Sequence, residues 1–224
     1  HFDINDSDKV KYFFKKNKFL INSIIHNANY SNVGGIKIVN EEDYINSYKT
    51  AVVAAQNLLK CSFPNLIKSI RKSNFASFIN IASIYGFQSP IFENYKSEKY
   101  FNPPNYGASK SALIQWTKYA ACEYGRKGIR FNSVSPGPIP NMKTIDNKIS
   151  IDKIKKRIPL GKFGKPKDLS GLLIYLCSES SSFVNGSNIV IDGGWSSWWK
   201  VVLQKITFVF IHWEDCKVSD VKIK

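Results

Sequence analysis

Asn105-Tyr106-Gly107-Ala108-Ser109-Lys110-Ser111-Ala112 is the stretch that orders the rest of the chain. It sets a phenol and an ammonium four residues apart, and residues four apart on a helix share a face. Leu113, Trp116, Ala120 and Tyr124 continue at helical spacing, so the stretch opens an amphipathic helix. Upstream, the apolar run Phe78-Ile79-Asn80-Ile81 reads as a strand that leads through Ala82 to Ser83. A strand followed by a long helix is the repeating unit of an alternating α/β chain. Tyr-x-x-x-Lys alone says little, because it occurs three times, at Tyr12/Lys16, Tyr95/Lys99 and Tyr106/Lys110. A surface tyrosine beside a solvated lysine is the plain meaning of the first two. Only the third stands behind an apolar strand and at the head of a clear amphipathic helix.

The alternation extends in both directions. Ile24-Ile25-His26 reads as a buried strand entering a polar turn. Residues 41 to about 70 read as a long helix with Asn40 as N-cap. The helix from Tyr106 runs to about Tyr124 and stops at Gly128, and Ile129-Arg130-Phe131-Asn132-Ser133-Val134 reads as the next strand. Pro136-Gly137-Pro138 breaks the chain. A shorter helix follows from Lys167 to Cys177, with Pro166 in its first turn. Asn188-Ile189-Val190-Ile191 is the last strand, closed by Asp192-Gly193-Gly194. This order predicts a mostly parallel sheet with helices on both faces, a three-layer αβα arrangement. Ligands of such sheets sit at the carboxyl ends of the strands, where His26-Asn27, Ser83 and Pro136-Gly137 converge.

The bulk properties narrow the classes. A chain of 224 residues with 43% hydrophobic content can bury one sizeable core. No apolar run of about eighteen residues suggests a membrane span. No signal-peptide pattern opens the chain. Cys61, Cys122, Cys177 and Cys216 are far apart and show no metal-ligand spacing, which suits reduced thiols and a cytoplasmic location. His1, His26 and His212 have no convincing metal partners, and His26 reads as a packed strand-end residue. The formal charge of +15 comes from lysines spread over the whole length, as expected of solvated surfaces, and no nucleic-acid-binding motif accompanies them. Lysine and arginine are denser at Lys143, Lys148, Lys153, Lys155, Lys156, Arg157, Lys162, Lys165 and Lys167. An exposed basic loop is the favoured reading of that run, and attraction of an anionic substrate is the alternative.

Taken in order, these motifs resemble the short-chain dehydrogenase/reductase family from about Asp3 to Trp195. His26-Asn27-Ala28-Asn29 is similar to its Asn-Asn-Ala-Gly turn. Ser83, Tyr106 and Lys110 match its catalytic serine, tyrosine and lysine. Pro136-Gly137-Pro138-Ile139 resembles the segment that meets the nicotinamide. Residues 159–168 and 184–194 resemble its C-terminal signature. The resemblance implies a Rossmann-like domain over residues 1–197, with 198–224 as an atypical C-terminal extension. It implies NAD or NADP as cofactor, held by Asp3, Ile4, Asn27, Ala28, Asn29, Tyr106, Lys110, Pro136, Gly137, Ile139 and Asn141. It implies a small-molecule substrate, homodimers or homotetramers of the full-length parent, and neither metal, nucleic acid nor membrane. In the family's chemistry Ser83 would hold the substrate oxygen. Tyr106 would move the proton, which near neutrality requires roughly 4 kcal/mol of phenolate stabilisation. The Lys110 ammonium and the cationic nicotinamide would supply it.

The departures carry expectations too. No Gly-x-x-x-Gly-x-Gly occurs among the 224 residues, so the usual phosphate cradle is missing. Against the family pattern, about two strand–helix units, roughly 50–60 residues, are missing ahead of Phe2-Asp3-Ile4. The chain is therefore expected to be a fragment that holds dinucleotide weakly or not at all, and to be catalytically inactive as it stands. Asn29 stands where the family has glycine, which left-handed asparagine would permit. The helix asparagine of many members falls at Ala51. The segment between Ser83 and Tyr106 is longer than in most members and resembles those of surface-polysaccharide or flagellin-sugar pathways. A non-enzymatic ligand-binding or scaffold member of the fold is the competing function. Its mark would be loss of the Ser-Tyr-Lys set, and all three residues remain.

Overall fold

The computed structural model describes residues 3–17, 20–140 and 150–198, together with the backbone of 210–211 and 218–219. Helix α1 (Ser7–Lys16) comes first. Strands β1 (Ser23–His26), β2 (Ala76–Ile81), β3 (Ile129–Pro136) and β4 (Asn188–Ile191) form one parallel sheet in that spatial order. β1 lies at one margin, where Ile25 is 44% exposed. The β1–β2 connection carries α2 (Glu41–Tyr48) and α3 (Ala54–Ser73), β2–β3 carries α4 (Pro104–Tyr124), and β3–β4 carries α5 (Ile151–Arg157) and α6 (Ser170–Leu176).

Alternation along the strands sorts the two faces. Phe78 and Phe131 point to one side and pack with α1, α3 and α4 residues Val10, Leu58, Leu66 and Ala120. Ile79 and Val134 point to the other and pack on Leu172, Leu173 and Leu176 of α6. The expected three layers are thus present. Phe78 and Phe131 stack at 5.4 Å, and Trp116 of α4 lies 6.0 Å and 6.2 Å from their rings. Polar pins fix α4 lengthwise as well: Asn80 Nδ2 donates to Thr117 Oγ1 at 2.9 Å, and Trp116 Nε1 donates to Gln56 Oε1 of α3 at 3.1 Å.

The long helix expected from residue 41 is α2 and α3 joined through a π-turn at Lys49–Val53, where the Ala54 amide donates to the Lys49 carbonyl. Asn40 caps it as expected, within a reciprocal capping box with Asp43. Two elements were not foreseen, α1 and α5. α1 starts where Asp6 accepts from the Lys9 amide at 3.0 Å. Asn29 does not enter the left-handed region, since Asn74 is the lone non-glycine at positive φ among the described residues. Asn74, at φ 51, instead ends α3.

Trp195 is buried, and Trp198 Nε1 donates to the Arg157 carbonyl at 2.6 Å. Of the extension from 198, Phe210–Ile211 pairs antiparallel with Val218–Ser219 in a separate two-stranded sheet. His1, Asn141, Lys143, Lys148, Trp199, His212 and Cys216 lie outside the described residues.

Candidate active site

Because the strands are parallel, their carboxyl ends share one edge of the sheet, and α4 starts there. Pro104 occupies the first helical position after Pro103, a placement that costs no backbone donor. Tyr106 and Lys110 then fall one turn apart on the face toward β2. Ser83, two residues beyond β2, is 6% exposed and accepts from the Tyr85 amide at 3.1 Å. A cavity of about 390 Å³ is lined by Asn27, Asn29, Ser83, Tyr106, Lys110, Pro136, Gly137 and Ile139, with Pro166 and Leu169 closing it from the start of α6. A smaller pocket of about 160 Å³ continues past Ser83, Tyr106 and Gly137 toward Ile154 and Trp195. Ser83 and Tyr106 therefore stand at the junction of two spaces.

Of the predicted cofactor residues, Asn27, Asn29, Tyr106, Lys110, Pro136, Gly137 and Ile139 line the larger space. Ala28 lies between two of them without lining it. Asp3 and Ile4 are elsewhere: Asp3 Oδ1 accepts from the Asn5 amide at 2.9 Å in the turn before α1, and Ile4 packs on the core beside α1. Gly137 must be glycine for steric reasons, because a Cβ there would sit 2.4 Å from the Asp192 Cβ.

The electrostatics follow from burial. Lys110 is 3% exposed, and its Nζ donates to the Ile81 carbonyl at 2.8 Å. Desolvation lowers its pKa from 10.5 to about 8. Burial also pushes the Tyr106 phenol above its ordinary value, while a hydrogen bond with the Ser83 side chain pulls it back. The ammonium lies 5.6 Å from the Tyr106 ring centroid. Its tie to Ile81 uses one N–H of three and leaves two to reach a ligand in the cavity.

His26, the last residue of β1 and the neighbour of Asn27, lines neither space. It is 2% exposed, and its Nε2 donates to the Ala51 carbonyl in the π-turn at 3.0 Å. Burial is the main cause holding its pKa down at about 4, and the nearby Lys110 charge lowers it further. The folded value lies below the unfolded one, so this stabilisation is complete above pH 6.5 and is lost as pH falls toward 4. Urea titrations should show stability falling by roughly 3 kcal/mol over that window. His26→Asn should flatten this part of the profile, and an unchanged slope in the variant would count against the assignment.

Asn105 received no role from the sequence, yet it sets the direction of Tyr106. It is 1% exposed. Its Nδ2 contacts Ser47 Oγ at 2.6 Å, Asn32 Oδ1 at 3.0 Å and the Asp43 carbonyl at 3.2 Å. The first turn of α4 is thereby tied to α2 and to the loop after β1. Asn105→Leu leaves those buried groups unpaired and should lower stability by about 2–4 kcal/mol in urea unfolding. Its polar character just ahead of an apolar helix was the available signal.

Comparison with known proteins follows the same lines. The family profile described as "Enoyl-(Acyl carrier protein) reductase" matches residues 1–196. The 2-dehydro-3-deoxy-D-gluconate 5-dehydrogenase of Dickeya dadantii is 36% identical over 129 residues, 56% of this chain and 47% of the relative. The 3-oxoacyl-[acyl-carrier-protein] reductase of Thermotoga maritima is 31% identical over 199 residues, 86% of this chain and 74% of the relative. A short chain dehydrogenase from Leptospira borgpetersenii, solved with bound NAD+, superposes with a TM-score of 0.72 at 27% identity, covering 87% of this chain and 74% of that one. The chain spans about half the length of the first curated relatives it matches.

Proposed function

The chain belongs to the short-chain dehydrogenase/reductase family, and from that premise we propose an NAD(P)-dependent oxidoreductase acting at a carbonyl or alcohol carbon of a small polar, sugar-like substrate. The observation that carries this reading is the single cavity lined by Ser83, Tyr106 and Lys110 at the carboxyl ends of the strands. Its nicotinamide end fits the residues present, because a buried ammonium with spare donors faces a space of about 390 Å³. Asn27, Asn29, Lys110 and Ile139 would hold the nicotinamide riboside, whose chemistry when bound is to give or accept a hydride. The Ser83 hydroxyl would hold the substrate oxygen, and Tyr106 Oη would donate its proton in reduction or take it in oxidation. Lys110 would anchor the ribose and favour the phenolate as charge develops.

Substrate class rests on the sugar-acid dehydrogenase among the relatives and on the basic helix α5, whose Lys153, Lys155 and Lys156 are exposed. Self-assembly through the long helices belongs to the same reading, since α2 and α4 leave Tyr48 and Tyr119 exposed. Among the described residues no helix is long and apolar enough to cross a membrane. The test is coenzyme oxidation followed by absorbance with a keto-sugar acid, at millimolar NADH or NADPH so that weak binding is not limiting. In a chain that carries the complete dinucleotide site we expect turnover that depends on the keto acid, with kcat/KM falling as salt rises, while the 224 residues alone are expected to bind coenzyme weakly or not at all. Coenzyme binding without any turnover would favour the non-enzymatic reading, and a flat salt profile would remove the steering role of α5.

A further inference from the structure

The pocket of about 160 Å³ beyond Ser83 and Tyr106 has apolar walls at Ile84, Pro138, Ile154 and Trp195. Four polar side chains line it as well, those of Ser83, Tyr85, Asn102 and Tyr106. Ser83 and Tyr106 are assigned to the reaction. The Tyr85 hydroxyl has a partner in that of Tyr95, at 3.5 Å. Asn102 stands apart, because its Oδ1 is buried with no hydrogen-bond partner among the described residues.

The backbone that carries Asn102 is well anchored. Phe101 packs against Phe92 and Tyr95, with ring centroids at 4.6 Å and 5.5 Å. The Phe101 carbonyl accepts from the Gly34 amide at 3.0 Å. Pro103 and Pro104 follow, each with φ fixed by its ring. The Pro103 carbonyl accepts from the Tyr106 amide at 3.2 Å. Position 102 is thus tied on one side to the loop after β1 and on the other to the turn that carries Tyr106. Asn105, three residues on, engages its amide nitrogen in three contacts. Two asparagines of one segment therefore differ in kind: one fastens α4, and the other holds a bare carbonyl in the pocket of the reacting groups. Buried polar groups of folded proteins are nearly always paired, and leaving one unpaired costs stability. In a binding pocket the missing partner is a ligand. A carbonyl can only accept, so that ligand must bring a donor.

We propose that Asn102 determines substrate specificity: its Oδ1 accepts a hydrogen bond from a second hydroxyl of the substrate, carried on a carbon near the one that reacts. A short carbon chain with several hydroxyls serves both groups within 160 Å³ and lays its C–H edges on Trp195 and Pro138. The same chain without that hydroxyl leaves the carbonyl unpaired and is rejected. The inference rests on the oxidoreductase reading for which oxygen lies at Ser83 and Tyr106, whereas the hydroxyl contact is tested by binding without coenzyme.

The experiment is competition saturation-transfer NMR on the 224-residue chain, with D-gluconate and its 3-, 4- and 5-deoxy and deoxyfluoro analogues. One deoxy analogue should bind at least roughly fivefold more weakly than gluconate. Fluorine at the same carbon accepts but cannot donate, so it should not restore affinity. Asn102→Leu should bring gluconate down to the level of that deoxy analogue and leave the analogue itself unchanged. Asn102→Ala gives the same reading if the leucine variant does not fold. Equal binding of all the analogues overturns the proposal, as does recovery on fluorination, discrimination that survives in the variants, or no binding of gluconate at all. Activity assays in a chain with the complete dinucleotide site separate the two readings. Discrimination without turnover of gluconate or its 5-keto form leaves the Asn102 contact standing and the oxidoreductase reading fails. Turnover without discrimination does the reverse.

Discussion

Tyr106→Phe is expected to lower kcat roughly 10²–10⁴-fold while KM changes little. The substitution removes one oxygen from a ring whose position is set elsewhere, by Asn105 against α2 and by Lys110 against β2. The fold should therefore survive, and urea unfolding should place the variant within about 1 kcal/mol of the parent. What is lost, on the proposed mechanism, is the group that would exchange a proton with the substrate oxygen. The pH profile gives a second reading. Burial raises the phenol and Ser83 only partly offsets it. Alcohol oxidation, which needs the phenolate, should climb as pH rises past neutrality, whereas carbonyl reduction should hold level there. Tyr106→Phe should erase the climb. Turnover within tenfold of the parent would remove Tyr106 from the mechanism.

Lys110→Met is expected to do two opposite things. It should lower turnover by at least roughly 10²-fold, because no other cation lines the cavity beside Tyr106 among the described residues. It should also stabilise the chain at pH 7. An ammonium 3% exposed with one backbone acceptor is held against its hydration, which is why its pKa falls to about 8. That displacement corresponds to roughly 3 kcal/mol of unfavourable burial. Loss of the donor to the Ile81 carbonyl returns about 1 kcal/mol, leaving a net gain near 2 kcal/mol. The sign follows from proton counting. Between pH 8 and 10.5 the unfolded chain binds more protons than the folded one, so parent stability rises with pH across that window. The advantage of the variant should be full below pH 8 and shrink toward pH 10.5. A variant less stable than its parent at pH 7 would mean that the ammonium is better satisfied than its contacts indicate.

Much of this was readable from residues because local signals agreed with the fold. The strand at Asn188–Ile191 has the bounds that its apolar run suggested, and Asn40 caps its helix through Asp43. Ser83, Tyr106 and Lys110 could be singled out because each follows or opens an apolar element in a fixed order, and they line one cavity. Other features have a weak short-range signature or none. Helix α1 does carry Val10 and Phe14 at helical spacing against the core, a signal set within a short lysine-rich run to which sequence reading attaches no element. Nothing in Lys49–Val53 announces a π-turn, since that register depends on tertiary packing. Asn29 could have used a left-handed backbone where the family has glycine, and it does not need to, since its φ is not positive. Asp3 and Ile4, assigned to the cofactor by the family resemblance, lie in the turn before α1 and against the core, apart from the residues that line the larger space.

The margin of the sheet has a practical consequence. Among the described residues β1 pairs on one side only, and Ile25 is 44% exposed. Such a border is adhesive: two molecules can zip together along it and satisfy both backbone edges at once. The four residues of β1 keep that contact short. Turbidity on concentrating the 224-residue chain would then reflect border-to-border stacking, a longer chain that supplies a further strand to that border should not show it, and a lysine at position 25 should suppress it without disturbing the interior.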